Sequence, residues 1–397
     1  MSICIKEALR IISENISKVS CEIVPIENIQ DRILAEDIYA KISLPTFNNS
    51  AMDGYAVKLS DANKEVKNID TIFAGSEKRT SFEEGQCVKI MTGARVPTST
   101  EAIIPKEQTK EIDENTILLP DTIKMNQHVR FTGEDIQEGE ILLKKGDDLN
   151  FSSITILSSQ GITHVKVYRK PKVSVFTSGE ELKLHYEKIE EYQIYNSNTP
   201  SLLARAQELG ADVTFVGMAK DNVESLKEVI SNSLYADFII TSGGISVGDA
   251  DFTKEAFDSF DMETLFDGIT IKPGKPTVFG KINNTYVLNL PGNPLAAALI
   301  FEVFGKIIMQ KLSGSKNVFH NTLFAKMGKQ LSNKKGRTTI IPGYFDGEYF
   351  TASEKRAAGM VGVLHNCNAI MVLNKQNETL EKEQIVKILP INWKFFT

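Results

Sequence analysis

The stretch TSGGISVGDADF, residues 241–252, follows the apolar run ADFII and gathers groups that handle phosphate. Gly243, Gly244 and Gly248 let backbone N–H groups approach an anion closely, while Thr241, Ser242 and Ser246 add hydroxyl donors. Asp249 and Asp251 in the same stretch repel a bare anion. A divalent cation between carboxylate and phosphate resolves the conflict, which favours a magnesium-assisted phosphate site. The structural alternative is a glycine-rich turn in which Asp251 only caps a helix starting at Phe252.

Four other stretches carry groups of the same kind. FTSGEEL, residues 176–182, brings Ser178, Gly179, Glu180 and Glu181, as a capped helix start or as ligands. Asp221 in GMAKDN reads equally as a cap, a turn residue or a site carboxylate. IKPGKPTVFG, residues 271–280, holds Lys272 and Lys275 around the stiff Pro273-Gly274 turn, where cations meet phosphate oxygens. LPGNPLAAAL, residues 290–299, ends a strand and begins a helix through Pro291-Gly292-Asn293-Pro294, and Pro294 presets a helix whose positive end could face an anion. No His or Cys stands in these five stretches, so no base accompanies a nucleophile as serine or cysteine hydrolysis requires. The set suits binding and transfer at a phosphoanhydride.

The elements that must position these groups are legible in the rhythm of the chain. From Lys172 onward, KVSVFTS, SLLARAQELG, DVTFVGM, NVESLKEVISNSL and DFIITSGG alternate strand and helix, which predicts a parallel sheet with helices on both faces. Ligands of such sheets bind at the carboxyl ends of the strands, where all five stretches fall. A helix runs from near Pro294 to about Leu312. The expected fold class is therefore α/β multidomain: a central α/β domain with a mostly parallel sheet, a helical linker region and two small β domains. The boundaries are residues 1–44 with 132–170 for the linker, 45–131 for the first β domain, 171–316 for the α/β domain and 317–397 for the second β domain. Ile5, Leu9, Ile12 and Ile16 form one face of an amino-terminal surface helix. Short apolar runs alternate with turn residues between Ser43 and about Arg130, and residues 133–161 read as turn, short strand and helix. Trp393 reads as a packed terminal side chain.

Composition narrows the function classes. The 397 residues exceed one ordinary core, and a formal charge of −6 without a basic stripe argues against a nucleic-acid partner. No stretch approaches the roughly 18 apolar residues of a membrane span, and Lys6, Glu7 and Arg10 break up the amino terminus, so neither membrane nor signal peptide is expected. Cys4, Cys21, Cys87 and Cys367 form no CxxC pair and read as reduced, packed thiols of a cytoplasmic protein.

These motifs carry a family resemblance. TSGGISVGDADFT, IKPGKP and LPGNP resemble the molybdopterin-binding fold, and LPTFNNSAMDGYAV (44–57), IMTGARVP (90–97) and GEDIQEGEILLKKG (133–146) narrow the resemblance to the molybdopterin molybdenumtransferase (MoeA) family. The resemblance implies a homodimer that inserts molybdate into adenylylated molybdopterin and releases AMP in a Mg2+-dependent step, in a cleft shared between subunits. It places Asp53 and Thr92 toward the partner's cleft and Asp135 at a hinge. Glu181, Asp221 and Asp251 line the nucleotide and metal side, Lys272 meets the anion, and Pro291 and Pro294 shape the loop. A molybdopterin adenylyltransferase and molybdoenzyme or carrier proteins are the implied further partners.

The sequence departs from the family pattern at several positions. Gly268 stands where many relatives have lysine, Gly362 and Val363 where hydroxyl side chains are common, and Arg95 where proline is usual. Two alternatives accompany the transferase reading. One is an adenylyltransferase on the same fold, disfavoured by the SAMDGYA region and the added β domains. The other is a catalytically silent molybdopterin-binding or scaffold protein, disfavoured by so many converging charges.

Overall fold

The computed structural model describes residues 2–244, 252–319, 321–333, 336–374 and 379–391, so Ser246, Gly248, Asp249, Asp251 and Trp393 lie outside the described residues. The chain falls into two compact units. One comprises Asp37–Lys144 and Thr155–Ile162; the other comprises Met1–Glu36, Lys145–Ile154 and Thr163–Thr397.

The smaller unit is built on a six-stranded sheet made of β1 (Gly54–Val57), β2 (Glu65–Ile72), β3 (Gln86–Ile90), β4 (Ala102–Pro105), β5 (Lys110–Glu111) and β6 (Thr116–Leu118). Its order is β4-β1-β3-β2-β6-β5, and only β2 and β3 run parallel. Strand side chains alternate between faces, and here both faces are covered. Tyr55 and Val57 join Cys87, Ile104 and Ile117 on one side, while Ala56 joins Ile72, Val88 and Ile103 on the other. That is why GYAV reads as a continuous apolar run.

In the larger unit, helix α1 (Ile5–Asn15) buries Ala8 and Ile12. The amino-terminal stretch also forms a strand, Cys21–Pro25, paired antiparallel with His164–Tyr168. The helical expectation omitted it, although the β-branched Ile23 and Val24 favour a strand. The central sheet follows, with β7 (Lys172–Ser178), α2 (Asn198–Glu208), β8 (Asp212–Ala219), α3 (Val223–Ser231), β9 (Phe238–Ser242), α4 (Phe252–Asp258), β10 (Glu263–Asp267), β11 (Val278–Ile282), β12 (Thr285–Leu290) and α5 (Pro294–Ile300). Its order is β8-β7-β9-β12-β11-β10; the first three pairings are parallel and the last two antiparallel. The change of direction has a local cause. Only Asn283 and Asn284 join β11 to β12, with Asn283 at φ 52°, a connection too short for anything but a hairpin.

Helices cover both faces of this sheet. Leu202, Ala206, Leu295 and Leu299 from α2 and α5 pack with Val175, Ile240 and Leu288, whereas Leu226, Ile230, Ala256 and Phe257 from α3 and α4 pack with Phe176, Ile239 and Val287. The helical run from Pro294 continues to Leu312 through a π turn, Phe301–Gly305, and α6, Lys306–Leu312.

Beyond it, β13 (Leu323–Met327), β14 (Thr338–Phe345), β15 (Tyr349–Ala352), β16 (Ala369–Leu373) and β17 (Ile385–Pro390) close on themselves in the circuit β14-β15-β13-β17-β16-β14. Ile341, Phe350, Met371 and Ile388 fill this barrel. A short strand, Ile271–Lys272, joins it by pairing parallel with Thr338 and Thr339.

The thiols correct one expectation. All four cysteines are free, but only Cys87 and Cys367 are packed; Cys4 precedes α1 and Cys21 lies on an outer strand, and both are exposed. Burial pushes the Cys87 thiol up to about 12. Among the described residues, no helix is long and apolar enough to cross a membrane.

The glycine of SAMDGYA has a packing reason. A Cβ on Gly54 would lie 2.1 Å from the Ile104 carbonyl oxygen, so Gly54→Ala must force β1 and β4 apart. Urea unfolding is expected to show a loss of about 3 kcal/mol. Gly75→Ala is the control: it meets nothing within 4 Å but has φ 79°, and should lose only about 1 kcal/mol. Equal stabilities for Gly54→Ala and the parent chain would refute the close-contact explanation.

Candidate functional site

A cavity of about 820 Å³ lies at the carboxyl ends of β7, β8, β9 and β12, as the strand rhythm predicts. Its lining includes Ser178, Glu181, Asp221, Ser242, Gly243, Gly244 and Pro294. The backbone beyond β9 is shaped for close approach. Gly243 and Gly244 have φ of 94° and 70°, and a Cβ on Gly243 would lie 2.6 Å from the Ser178 carbonyl oxygen. Only glycine tolerates both the left-handed conformation and that crowding. Beside them, Thr177 Oγ1 donates to the Ser242 carbonyl at 2.6 Å and ties the ends of two neighbouring strands together.

Strand alternation separates the two hydroxyls expected at the ligand. Ser242 lines the cavity, but Thr241 points to the opposite face with Ile239 and is only 1% exposed. Its Oγ1 and the Oδ1 of Asn289, its register partner on β12, have no hydrogen-bond partner among the described residues. Thr241 is therefore not among the cavity-lining residues. Two others take that place. Ser178 Oγ and Thr253 Oγ1 lie 2.5 and 2.2 Å from the point a Cβ on Gly244 would occupy, and neither has a partner among the described residues. A buried hydroxyl without a partner is costly unless something else supplies the bond.

Glu181 and Asp221 are exposed carboxylates on adjacent loops of the cavity, and Asp221 Oδ2 accepts from the Glu180 N–H at 3.4 Å. No group of three or more metal-ligating side chains occurs among the described residues; Asp251, the third expected ligand, lies outside them. Lys272 and Lys275 are exposed and stand outside the cavity lining, as does the buried Pro291. The amino end of α5 is already occupied: the N–H groups of Leu295 and Ala296 donate to the Ala358 carbonyl at 3.0 and 3.3 Å. Protein, rather than an anion, satisfies that helix end.

Asn198 was missed from sequence. Its Nδ2 donates to the Gly292 carbonyl at 2.7 Å and to Ser242 Oγ at 3.3 Å, joining the two loops that form the cavity floor. NSN before a helix reads as a cap, and a cap is indeed present two residues earlier, where Asn196 Oδ1 accepts from the Thr199 N–H at 3.1 Å. Gly359 and Val361, from the barrel segment, also line the cavity. They belong to the stretch AAGMVG, residues 357–362, and carry no reactive group. Gly268 has its own backbone reason: it adopts φ 87°, and a Cβ there would lie 2.7 Å from Ser2 Oγ.

In the smaller unit, Asp53 and Thr92 meet directly. The Thr92 N–H and Oγ1–H each donate to Asp53 Oδ1 at 2.8 Å. Asp135 belongs to this unit as well; it is exposed, and its N–H donates to the Leu44 carbonyl.

The fold is that of an α/β multidomain protein with a cavity at the carboxyl edge of its central sheet. Residues 3–161 match the MoeA N-terminal region (domain I and II), and residues 174–311 match the probable molybdopterin binding domain. The chain is 34% identical over 94% of both sequences to a molybdopterin molybdenumtransferase of Haemophilus influenzae. It is 31% identical to the enzyme of that name from Staphylococcus epidermidis, over 98% of this chain and 95% of the other. The crystal structure of a molybdopterin biosynthesis MoeA protein from Pyrococcus horikosii superposes with a TM-score of 0.84 at 29% identity, covering 99% of this chain and all of that one. The chain belongs to the molybdopterin molybdenumtransferase family.

The Thr92 backbone and hydroxyl bonds hold the Asp53 carboxyl below its ordinary value, with Lys106 adding a smaller effect. A carboxyl with a depressed folded-state value contributes stability above its unfolded value, near 3.9, and loses it as pH falls through the folded one. A 13C-carboxyl NMR titration should show the Asp53 midpoint rising toward the ordinary value in Thr92→Val. An unmoved midpoint would mean that the Thr92 hydroxyl does not hold the charge, the backbone N–H bond being retained in this variant.

Proposed function

We propose that the protein inserts molybdate into adenylylated molybdopterin with release of AMP. The supporting observation is the cavity at the carboxyl edge of the sheet, where glycine backbone, hydroxyls without a partner among the described residues and two carboxylates adjoin in a chain of this family. Gly243 and Gly244 bring the backbone close to a phosphate, Ser242 donates from the same strand end, and Asn198 fixes the two loops against each other. Ser178 and Thr253 hold hydroxyls in reserve for ligand oxygens.

Magnesium fits this donor set. The ion binds through one or two carboxylates, completing its shell with water and phosphate oxygens, and Glu181 and Asp221 supply two such groups in one cavity. When bound, it neutralises phosphate charge that these carboxylates would otherwise repel. Asp251 is proposed as the third carboxylate. Lys272 and Lys275 contribute cationic attraction to molybdate or phosphate, and Pro291 and Pro294 set the loop leading into α5.

The working assembly is proposed to be a cytoplasmic homodimer with a shared cleft, to which the smaller unit contributes Asp53, Thr92 and Asp135. The four-region division into residues 1–44 with 132–170, 45–131, 171–316 and 317–397 is kept as part of this reading. Neighbouring steps would involve a molybdopterin adenylyltransferase and a molybdoenzyme or carrier that accepts the product.

The test is AMP release from adenylylated molybdopterin by the purified protein with Mg2+, with and without molybdate. Release should depend on molybdate. Asp53→Ala and Asp221→Ala should remain folded by circular dichroism and lose at least about 100-fold in rate, and Asp251→Ala should behave likewise. Tight binding of the adduct without release would replace the transferase with a binding protein, and full activity in all three variants would refute the site assignment.

A further inference from the structure

The smaller unit contains a hollow of about 410 Å³ that the proposed reaction does not use, lined by Phe47, Gly75, Ser76, Glu77, Arg79 and Arg95. The Arg95 guanidinium lies over the Phe47 ring, 4.8 Å from its centroid. Stacking of this kind fixes the plane of the fork and leaves its N–H edge pointing outward. The backbone holds both partners in register: Asn49 bridges to Arg95, the Ser50 N–H donates to the Ala94 carbonyl, and the Val96 N–H donates to the Asn48 carbonyl.

Arg79 is positioned from the other side. Its sequence neighbours are both fastened to Asp70 on β2, with Lys78 Nζ donating to Oδ1 at 2.7 Å and Thr80 Oγ1 donating to Oδ2 at 2.6 Å. The Thr71 N–H adds a third bond at 2.8 Å. The Lys78 N–H also bonds to Ser76 Oγ, so the loop is stiffened on both sides of Glu77. Asp70 thus positions a cation it does not touch.

Neither Arg79 nor Arg95 has an ion pair or a hydrogen-bonded side-chain partner among the described residues, and Glu77, at the same hollow, is paired with neither. Two guanidiniums and one carboxylate leave a net positive charge in the lining of the hollow. Two guanidiniums at one hollow, one of them fixed by stacking on Phe47, suit the oxygens of a tetrahedral dianion. The hollow is several times larger than an ion of that kind, so the anion it fits is the end group of an organic molecule.

We propose that Arg79 and Arg95 form a binding site for a phosphate monoester, lined by residues other than those of the cavity at the sheet edge. Asp70 and Phe47 are its positioning residues. The inference does not rest on the transferase reading, because it uses only groups of the smaller unit.

The test is residue-resolved arginine modification of the full-length protein by phenylglyoxal, read by peptide mass spectrometry. AMP and inorganic phosphate are the probes, with sodium chloride at matched ionic strength. Either probe at millimolar concentration should slow labelling of both Arg79 and Arg95 at least about fivefold, and chloride should not. Asp70→Asn should weaken protection at Arg79 and Phe47→Leu at Arg95, with circular dichroism unchanged. Because the readout is local, AMP bound elsewhere does not register. Unchanged labelling with both probes, or equal slowing by chloride, would overturn the site. Protection by inorganic phosphate alone would overturn the monoester assignment.

Discussion

The close passage of backbone over backbone at the end of the central strand is the constraint on which the site depends. Gly243 crosses the Ser178 carbonyl at a distance that excludes any side chain, and Gly244 covers two hydroxyls from different elements. The parallel register of β7, β9 and β12 brings these ends together, and that register is held by apolar packing on both faces of the sheet. A shift of one residue would exchange Ser242 for Thr241 at the cavity and turn Ile239 and Ile240 to the wrong faces. Core packing and ligand geometry are therefore one specification.

Much of this arrangement was legible in the sequence because it follows local rules. Strand and helix periods are clear between Lys172 and Leu312, and the loops at strand ends stand out by their glycines, prolines and acids. What stayed hidden depends on non-local partners. Asn198 reads as a cap, and only the approach of Gly292 and Ser242 gives it another role. Thr253 sits in an ordinary first helical turn, and its importance comes from Gly244. The amino end of α5 looks open to an anion until the Ala358 carbonyl, some sixty residues later in sequence, is found there. Thr241 was the opposite case: its type was right for a ligand, and the strand pleat turned it away.

The smaller unit shows how acidic side chains can serve by holding other groups in place. Asp53 and Asp70 both accept several hydrogen bonds that stabilise their charged forms, and Asp70 is held down at about 2. Bonds of this kind fix the direction of a carboxylate as well as its ionisation. The same residue type thus presents a charge in one loop and braces a loop in the other.

The pairing of Ile271–Lys272 with β14 bears on the order in which the protein is made. A lysine proposed for the site is encoded well before the strand that anchors it, and α5 is encoded before the carbonyl that closes its first turn. During synthesis the central sheet can collapse as soon as its own strands have emerged. Its carboxyl edge, however, stays unfinished until residues 338–361 have left the ribosome. A nascent chain interrupted before that point would lack the Ala358 carbonyl at the start of α5 and the Gly359 and Val361 part of the cavity wall, so the cavity is completed late in the birth of the molecule.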